Sequence, residues 1–279
     1  MQKWNLIVDV ENCTNCNMCV LANADEYVGN DWPGYAAAMP KHGHRWIDIK
    51  RRERGQGAMV DVAYVPTMCQ HCDDAPCLKA ATNGAVTKRP DGIVLIDPVK
   101  AKGQKQIVDA CPFGAVWWNE EKQIPQAWTF DAHLLDQGWK EPRAAQSCPT
   151  GAIAAVKAED ADMERMVRDQ QLSELEPEAK TKPRVWYRNL YRYTHAFVGG
   201  TIAKEVDGIS DCVAGATVTL LKDGRSVGTA VSDAFGDFKI DRVPMNSGAY
   251  RLDIAAPNGK RASVEVVVTE SVYVGCIMV

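Results

Sequence analysis

Ten cysteines stand in this chain of 279 residues, and the eight that precede residue 150 limit what it can fold into more than any other feature. Two runs carry three each: CTNCNMC, with Cys13, Cys16 and Cys19, and CQHCDDAPC, with Cys69, Cys72 and Cys77. Two more precede a proline, Cys111 in DACPFGAV and Cys148 in QSCPTGAI. A cubane [4Fe-4S] cluster offers one corner per iron, so a tight loop can wrap three corners while a remote residue closes the fourth. The bacterial ferredoxin pattern C-x2-C-x2-C-x3-C-P works this way, its last cysteine ligating the other cluster. Eight thiolates match two such clusters. Zinc also accepts four thiolates, but three cysteines on one tight loop suit a bulky cubane better than a single tetrahedral ion. Disulfides are the use expected of small secreted chains, not of a chain this long with ligand-like spacings. His71 lies inside a run that already has three cysteines, and a packing role is expected of it; the scattered His42, His44, His133 and His195 are read as structural.

An apolar content of 46% with 24% charged residues is that of an ordinary folded protein. The net charge of -4, without a long basic tract, argues against a chain that coats nucleic acid. No stretch approaches the roughly 20 apolar residues that cross a bilayer, so no direct membrane insertion is expected. The start, MQKWNLIVDVENC, runs into a strand-like segment in place of an apolar leader, which makes a cytoplasmic location the expectation.

Residues 1–155 combine short apolar runs, cysteines and Gly or Pro turns. GAVTKRPDGIVLIDP predicts a hairpin turned at Pro90-Asp91-Gly92, followed by a helix from about Pro98 to Ala110 that delivers Cys111. Residues 156–200 change character. VKAEDADMERMVRDQQLSELEPEAKTK reads as a largely exposed helix or linker ended near Pro177 and Pro183, with Met163, Met166, Val167 and Leu172 as an irregular apolar stripe. VWYRNLYRYTHAFVGG then reads as an aromatic arm packing on the first domain or on a partner; aromatics mixed with arginines also describe a single-stranded nucleic-acid groove, the weaker reading. Over 201–279, ATVTLLKDG, RSVGTAVSD, DFKIDRV, AYRLDIAA and KRASVEVVV alternate with period two between DG, AFGD, NSG and PNG turns, predicting a small all-β sandwich. Cys212 and Cys276 are expected there as two separate, buried thiols, or as a pair if the terminal strands meet. The fold class is α+β: two ferredoxin-like iron-sulfur modules, then a small immunoglobulin-like or transthyretin-like sandwich.

CTNCNMC, CQHCDDAPCLKA, DACPFGA and SCPTGAI resemble the iron-sulfur subunits that accompany molybdopterin or tungstopterin enzymes of the dimethyl sulfoxide reductase family, over about residues 5–155. NDWPGY, GHRWIDIKRRERG, DGIVLIDPVKAKG, AHLLD, KPRVWYRNLYR and the C-terminal strands extend the resemblance, over nearly the whole chain, to the small subunits of pyrogallol-phloroglucinol transhydroxylases. In the wider family four cysteine runs hold four clusters. By the exchange rule that the resemblance implies, Cys13, Cys16 and Cys19 pair with Cys148, and Cys69, Cys72 and Cys77 with Cys111. Two further sets lack every ligand: Asn23, Trp128, Asp131 and Ala144 in one, Ala81, Ala101, Gln104 and Ile107 in the other. Trp128 and Ile107 suggest sites repacked as apolar core. The transhydroxylase small subunits carry three clusters, so this chain departs from them by lacking the first of these sets.

The resemblance implies an electron-transfer and structural subunit, without catalytic residues of its own, that holds two [4Fe-4S] clusters. Its expected partner is a large catalytic subunit that carries the molybdopterin cofactor, a molybdopterin-dependent hydroxytransferase or hydroxylase acting on polyhydroxylated aromatics. The alternatives are a subunit of another molybdopterin or tungstopterin reductase or dehydrogenase, passing electrons to an external carrier, and a folding scaffold with redox-inert clusters. No Rossmann glycine fingerprint or local acid-base set supports independent catalysis.

Overall fold

The computed structural model describes residues 1–279. In chain order the elements are β1 (Lys3–Asp9), α1 (Met18–Tyr27), β2 (Ile47–Gln56), β3 (Met59–Met68), α2 (Pro76–Ala80), β4 (Val86–Lys88), β5 (Val94–Ile96), α3 (Gln106–Asp109), β6 (Trp117–Asn119), β7 (Ile124–Gln126), α4 (Ala132–Asp136), α5 (Arg143–Gln146), β8 (Ile153–Ala158), α6 (Asp160–Asp169) and β9 (Val185–Arg188). There follow α7 (Tyr191–Thr194), β10 (Ala196–Val206), β11 (Ile209–Cys212), β12 (Thr217–Lys222), β13 (Arg225–Val231), β14 (Asp237–Val243), β15 (Gly248–Ala255), β16 (Arg261–Val268) and β17 (Val272–Met278). The chain divides into two compact units, Met1–Lys50 with Tyr64–Leu190, and Arg51–Ala63 with Tyr191–Val279. The β2–β3 hairpin therefore has its roots in the first unit and its tip in the second.

In the first unit β1 is the central strand of a three-stranded sheet, with β8 antiparallel on one side and β9 parallel on the other. Its sequence fits that place, because Trp4, Leu6, Ile7 and Val8 are all buried, as a strand covered on both faces requires. Ile7 packs with Met163 and Leu172, flanked by Val156, Met166, Val167 and Trp186. The stripe read along residues 163–172 is thus the seam by which α6 covers the sheet. The helix itself is shorter than expected: it ends at Asp169, and Gln171 turns to a φ of 52°, which lets the Leu172 amide bond back to Val167 at 2.9 Å and sink its side chain. The aromatic segment is no loose arm on this side, since Val185–Arg188 forms β9 and Tyr187 is fully buried.

The hairpin at Pro90-Asp91-Gly92 is present, with β4 paired to β5 and the Arg89 amide donating to Ile93 O at 2.8 Å. Gly92 is required there. Its φ is 90°, and an added Cβ would lie 2.8 Å from Arg184 Cδ. The helix expected from Pro98 to Ala110 is largely absent. Asp97 Oδ1 takes the amides of Val99 and Lys100 at 2.9 and 3.0 Å, and the Gly103 amide is drawn to Gln123 O at 2.8 Å. Only Gln106–Asp109 closes as helix.

In the second unit β10 pairs with β14 and then β11 along one edge and with β17, parallel, along the other; β13, β12, β15 and β16 form a second sheet in that order. Val198, Ile202, Val218, Leu220, Phe238, Leu252, Ile254 and Val268 meet in one core, giving the expected all-β architecture, with each of the five alternating segments forming a strand. Cys212 and Cys276 are free but exposed, contrary to the expectation of burial. They lie in strands on opposite sides of β10, across from Ala203 and Thr201, and β11 is exposed along its whole length.

Candidate functional site

Val8 faces Ile153 across the antiparallel β1–β8 pair, so the chain leaving β1 and the chain entering β8 meet at one end of the sheet. Cys13 comes just after that exit and Cys148 just before that entry. Asp9, buried at the end of β1, steadies the first run: its carboxylate accepts the Glu11 amide at 3.0 Å, Asn12 Nδ2 at 3.2 Å and Asn189 Nδ2 at 3.0 Å. Asn15 and Asn17, between the cysteines, have φ values of 57° and 60°, a left-handed conformation that asparagine tolerates better than most residues. The loop can therefore curl and present Cys13, Cys16 and Cys19, the last in the first turn of α1. Ser147 Oγ donates to Met18 O at 3.5 Å, tying the Cys148 loop to that turn.

The second run begins where β3 ends. Cys69 follows Met68, His71 reverses the chain with a φ of 45°, and Cys77 lies in α2. The amides of Asp73 and Asp74 bond to Lys182 O and Thr181 O at 2.9 and 3.0 Å. Helix α2 packs on α3, which ends just before Cys111. The two Cys-Pro loops share one geometry: the Gly114 amide returns to Cys111 O and the Gly151 amide to Cys148 O, both at 3.2 Å, so each short helix ends at a cysteine and the chain re-enters a strand. Cys69 and Cys77 open onto a cavity walled by Val94, Ile96, Val116, Ala127 and Trp128.

The thiols fall into two mutually repelling groups. Burial, then its neighbours Cys148 and Cys16, push Cys13 up against the pull of the Asn15 amide. Burial followed by Cys13 pushes Cys19 up to about 12, with Cys148 and Cys16 adding to it. Cys69 is raised by burial and then by Cys77, with Cys72 and Cys111 also contributing. Cys77 is pushed up to about 11 by burial and by Cys111 and Cys72. Cys72 also reaches about 11 through burial, opposed by a hydrogen bond from the Thr181 hydroxyl. Such quartets resist ionisation until a cation shares the charge, and metal binding then releases protons. Two groups of four thiols match the ligand count of two cubane clusters.

Two neighbours of the second group, Thr181 and Lys88, went unforeseen in the sequence, while His71 is read beside it. Buried Thr181 sits in KTKPR, with no spacing that points to Cys72. Lys88 Nζ donates to His71 O and Gly92 O at 2.7 Å and meets Asp73 at 2.8 Å. His71, read as a packing residue, accepts the Val94 amide on Nδ1 at 3.0 Å and packs edge-on against Trp128 and Phe130; burial, then the Lys88 charge, hold it down to about 3, hence neutral.

The cysteine-less positions are filled in a mixed way. Ala101, Ile107 and Ala144 are buried apolar contacts, as expected. Trp128 is buried too, but its indole Nε1 donates to Asp131 Oδ1 at 3.1 Å. Tyr27 OH also donates to Asp131 Oδ1, at 2.8 Å, and the Arg143 amide to Oδ2 at 2.8 Å. Asn23 sits one turn before Tyr27 and donates to Met39 Sδ at 3.6 Å. Gln104 staples two loops, accepting the Thr82 amide at 2.8 Å and donating to Lys100 O at 2.7 Å, and Ala81 lies beside that staple.

The family described as a 4Fe-4S dicluster domain matches residues 60–158. The pyrogallol hydroxytransferase small subunit of Pelobacter acidigallici is 42% identical over 280 aligned positions, which cover 99% of each chain. The iron-sulfur subunit of a putative dimethyl sulfoxide reductase of Halobacterium salinarum is 28% identical over 68% of this chain and 80% of its own. A tetrathionate reductase subunit of Salmonella typhimurium is 29% identical over 67% of this chain and 73% of its own. With a dicluster domain, eight grouped thiols and a likeness that runs through both units, the chain belongs to the family of the pyrogallol hydroxytransferase small subunit, one branch of the iron-sulfur subunits that include those of dimethyl sulfoxide reductases.

Proposed function

We propose that the chain is the electron-transfer and structural subunit of a molybdopterin-dependent hydroxytransferase or hydroxylase acting on polyhydroxylated aromatics. In this reading Cys13, Cys16, Cys19 and Cys148 hold one [4Fe-4S] cluster and Cys69, Cys72, Cys77 and Cys111 hold a second. The clusters supply one-electron storage and transfer. The chain's own residues fix their positions and tune them through burial and hydrogen bonds to sulfur. Substrate chemistry belongs to a large molybdopterin-bearing partner, in the cytoplasm. The observation that carries this reading is the 42% identity spanning 99% of both chains. The subunits of the two reductases align with only about two thirds of this chain, which favours the hydroxytransferase over a general reductase.

The test is anaerobic purification of the native complex, metal analysis and redox-titrated EPR. Eight irons per chain, to within about one, two reducible signals and a co-purifying pterin metal are expected; zinc, or about half that iron, would sink the two-cluster assignment. Activity toward hydroxybenzenes without an external electron acceptor is expected of a transhydroxylase, in which no net electrons leave. A strict requirement for an acceptor would favour the reductase or dehydrogenase reading.

A further inference from the structure

The polar knot around Asp131 is linked through its partners to both thiol groups. On one side Trp128, which donates to Asp131, forms a wall of the cavity onto which Cys69 and Cys77 open. On the other, Tyr27 is the last residue of α1, and Cys19 lies two turns earlier, about 12 Å along the axis. The Arg143 amide, the third donor, begins the short helix that leads to Cys148.

All three partners of the carboxylate act as donors. Indole and backbone N–H groups can do nothing else. The Tyr27 hydroxyl can receive the Thr129 hydroxyl proton across 2.6 Å while giving its own to Asp131. A protonated carboxyl could give its proton only to the Tyr27 hydroxyl, whereas the indole and backbone N–H groups each place a fixed donor on a different carboxyl oxygen and favour the charged form. No cation pairs with Asp131 either, since the Arg143 guanidinium is taken by Glu26 at 2.6 Å and Asp25 at 2.8 Å, and His133 Nε2 faces Glu26 at 2.7 Å. Burial opposes the charge and raises the carboxyl pKa, while Tyr27, the Arg143 amide and Trp128 work against that rise.

We infer that Asp131 is a buried, unpaired anion linked through its partners to both cysteine groups, a redox-tuning residue that keeps the reduction potentials of both clusters low. Each reduction adds one electron to a cluster, and a fixed negative charge nearby disfavours that electron. The inference rests on the two-cluster reading above.

The test is redox-titrated EPR of the native complex with Asp131→Asn, after iron analysis has established that the clusters are loaded. Both midpoints rise. Taking the run of α1 from Cys19 to Tyr27, about 12 Å, as the scale of the separation and an effective dielectric of about 20, one unit charge shifts the reduced-to-oxidised ratio of the first cluster on the order of tenfold, or about 59 mV for one electron. Tyr27→Phe, which keeps the carboxylate, moves the midpoints much less. Two fully loaded clusters with unchanged midpoints in Asp131→Asn overturn the inference. If Asp131→Asn loses iron, infrared spectra of the wild-type complex carrying isotope-labelled aspartate decide: a protonated-carboxyl stretch at neutral pH overturns the inference, and its absence supports it. Failure of the two-cluster reading shows separately, as low iron in the wild type.

Discussion

Tyr187→Phe removes one oxygen from the interior of the first unit and reports on the second thiol group. The ring is fully buried in β9. Its hydroxyl donates to Pro66 O at 3.1 Å and accepts Gln70 Nε2 at 3.2 Å. Gln70 is the residue between Cys69 and His71, so this hydroxyl braces the loop that presents Cys69 and Cys72. Each neutral hydrogen bond contributes about 1 kcal/mol net, so the pair contributes about 2 kcal/mol, equivalent to about 30-fold in the equilibrium for opening the loop. Phenylalanine keeps the ring volume and leaves no cavity. The assay is an anaerobic chelator challenge in which the two EPR signals are followed separately. Where loop opening precedes cluster loss, the signal assigned to Cys69, Cys72, Cys77 and Cys111 decays up to about 30-fold faster, while the other keeps its wild-type rate. Equal acceleration of both signals, or a change under about twofold in the first, would refute the brace.

Cys148→Ala and Cys111→Ala should each remove a different EPR signal and about half the iron; loss of the same signal in both variants would overturn the pairing of remote cysteines with runs. In the second unit, Asp61 meets Arg54 at 2.6 Å, Arg192 at 2.5 Å and Lys239 at 3.0 Å. Burial alone would raise its pKa, but these cations hold the carboxyl well below the usual range. Asp61→Asn leaves Arg54, which is 1% exposed, with Asp241 as its remaining carboxylate, at a cost of about 3 kcal/mol. A depressed pKa stabilises at every pH above the unfolded value of about 3.9 and ceases to do so only as pH falls through the folded value. The wild-type advantage in denaturant melts therefore persists down to about pH 4 and shrinks below it, and a gap already closed at about pH 5 would contradict the sign. Gly236→Ala places a Cβ 2.3 Å from Ile202 O at a φ of 79°, which should cost roughly 2–3 kcal/mol; an unchanged melting temperature would show that β10 yields easily at this point.

Most of what made the cluster sites legible is local. Cysteine spacing, the Cys-Pro-x-Gly loops and the PDG hairpin act within a few residues, and the period-two segments of the sandwich need only a sheet with one inner face. Elements decided by remote partners were harder to read. The helix expected over 98–110 loses its first half to the Asp97 side chain and to a carbonyl twenty residues downstream at Gln123. Leu172 and Met163 read as an irregular stripe because only the β8–β1–β9 sheet gives that stripe a surface to cover. Thr181 carries no local signal at all, and Asp131 takes two of its three donors, Tyr27 and the Arg143 amide, from outside its own turn. Cys212 was misjudged because cysteine favours burial on average, while a short, exposed strand cannot supply it.

The wide separation of the cysteines in each group has a physical consequence for how the clusters form. A cluster on the proposed set of Cys13, Cys16, Cys19 and Cys148 would tie the start of the first unit to a residue just ahead of β8, at the one end of the sheet where β1 and β8 meet. Closing a loop that long costs only modestly more entropy than closing a short one, and pairing of β1 with β8 closes the same loop. What remains unfavourable is the crowding of four neighbouring thiols, which the raised Cys13 and Cys19 make explicit. Charge shared with iron removes it. Sheet pairing and cluster insertion therefore stabilise each other: the sheet presents the fourth ligand, and the cluster fixes the strand register that presents it. A path for single electrons needs that rigidity, because the positions of its stations are set by loops, Cys-Pro turns and one asparagine-rich curl instead of by long helices.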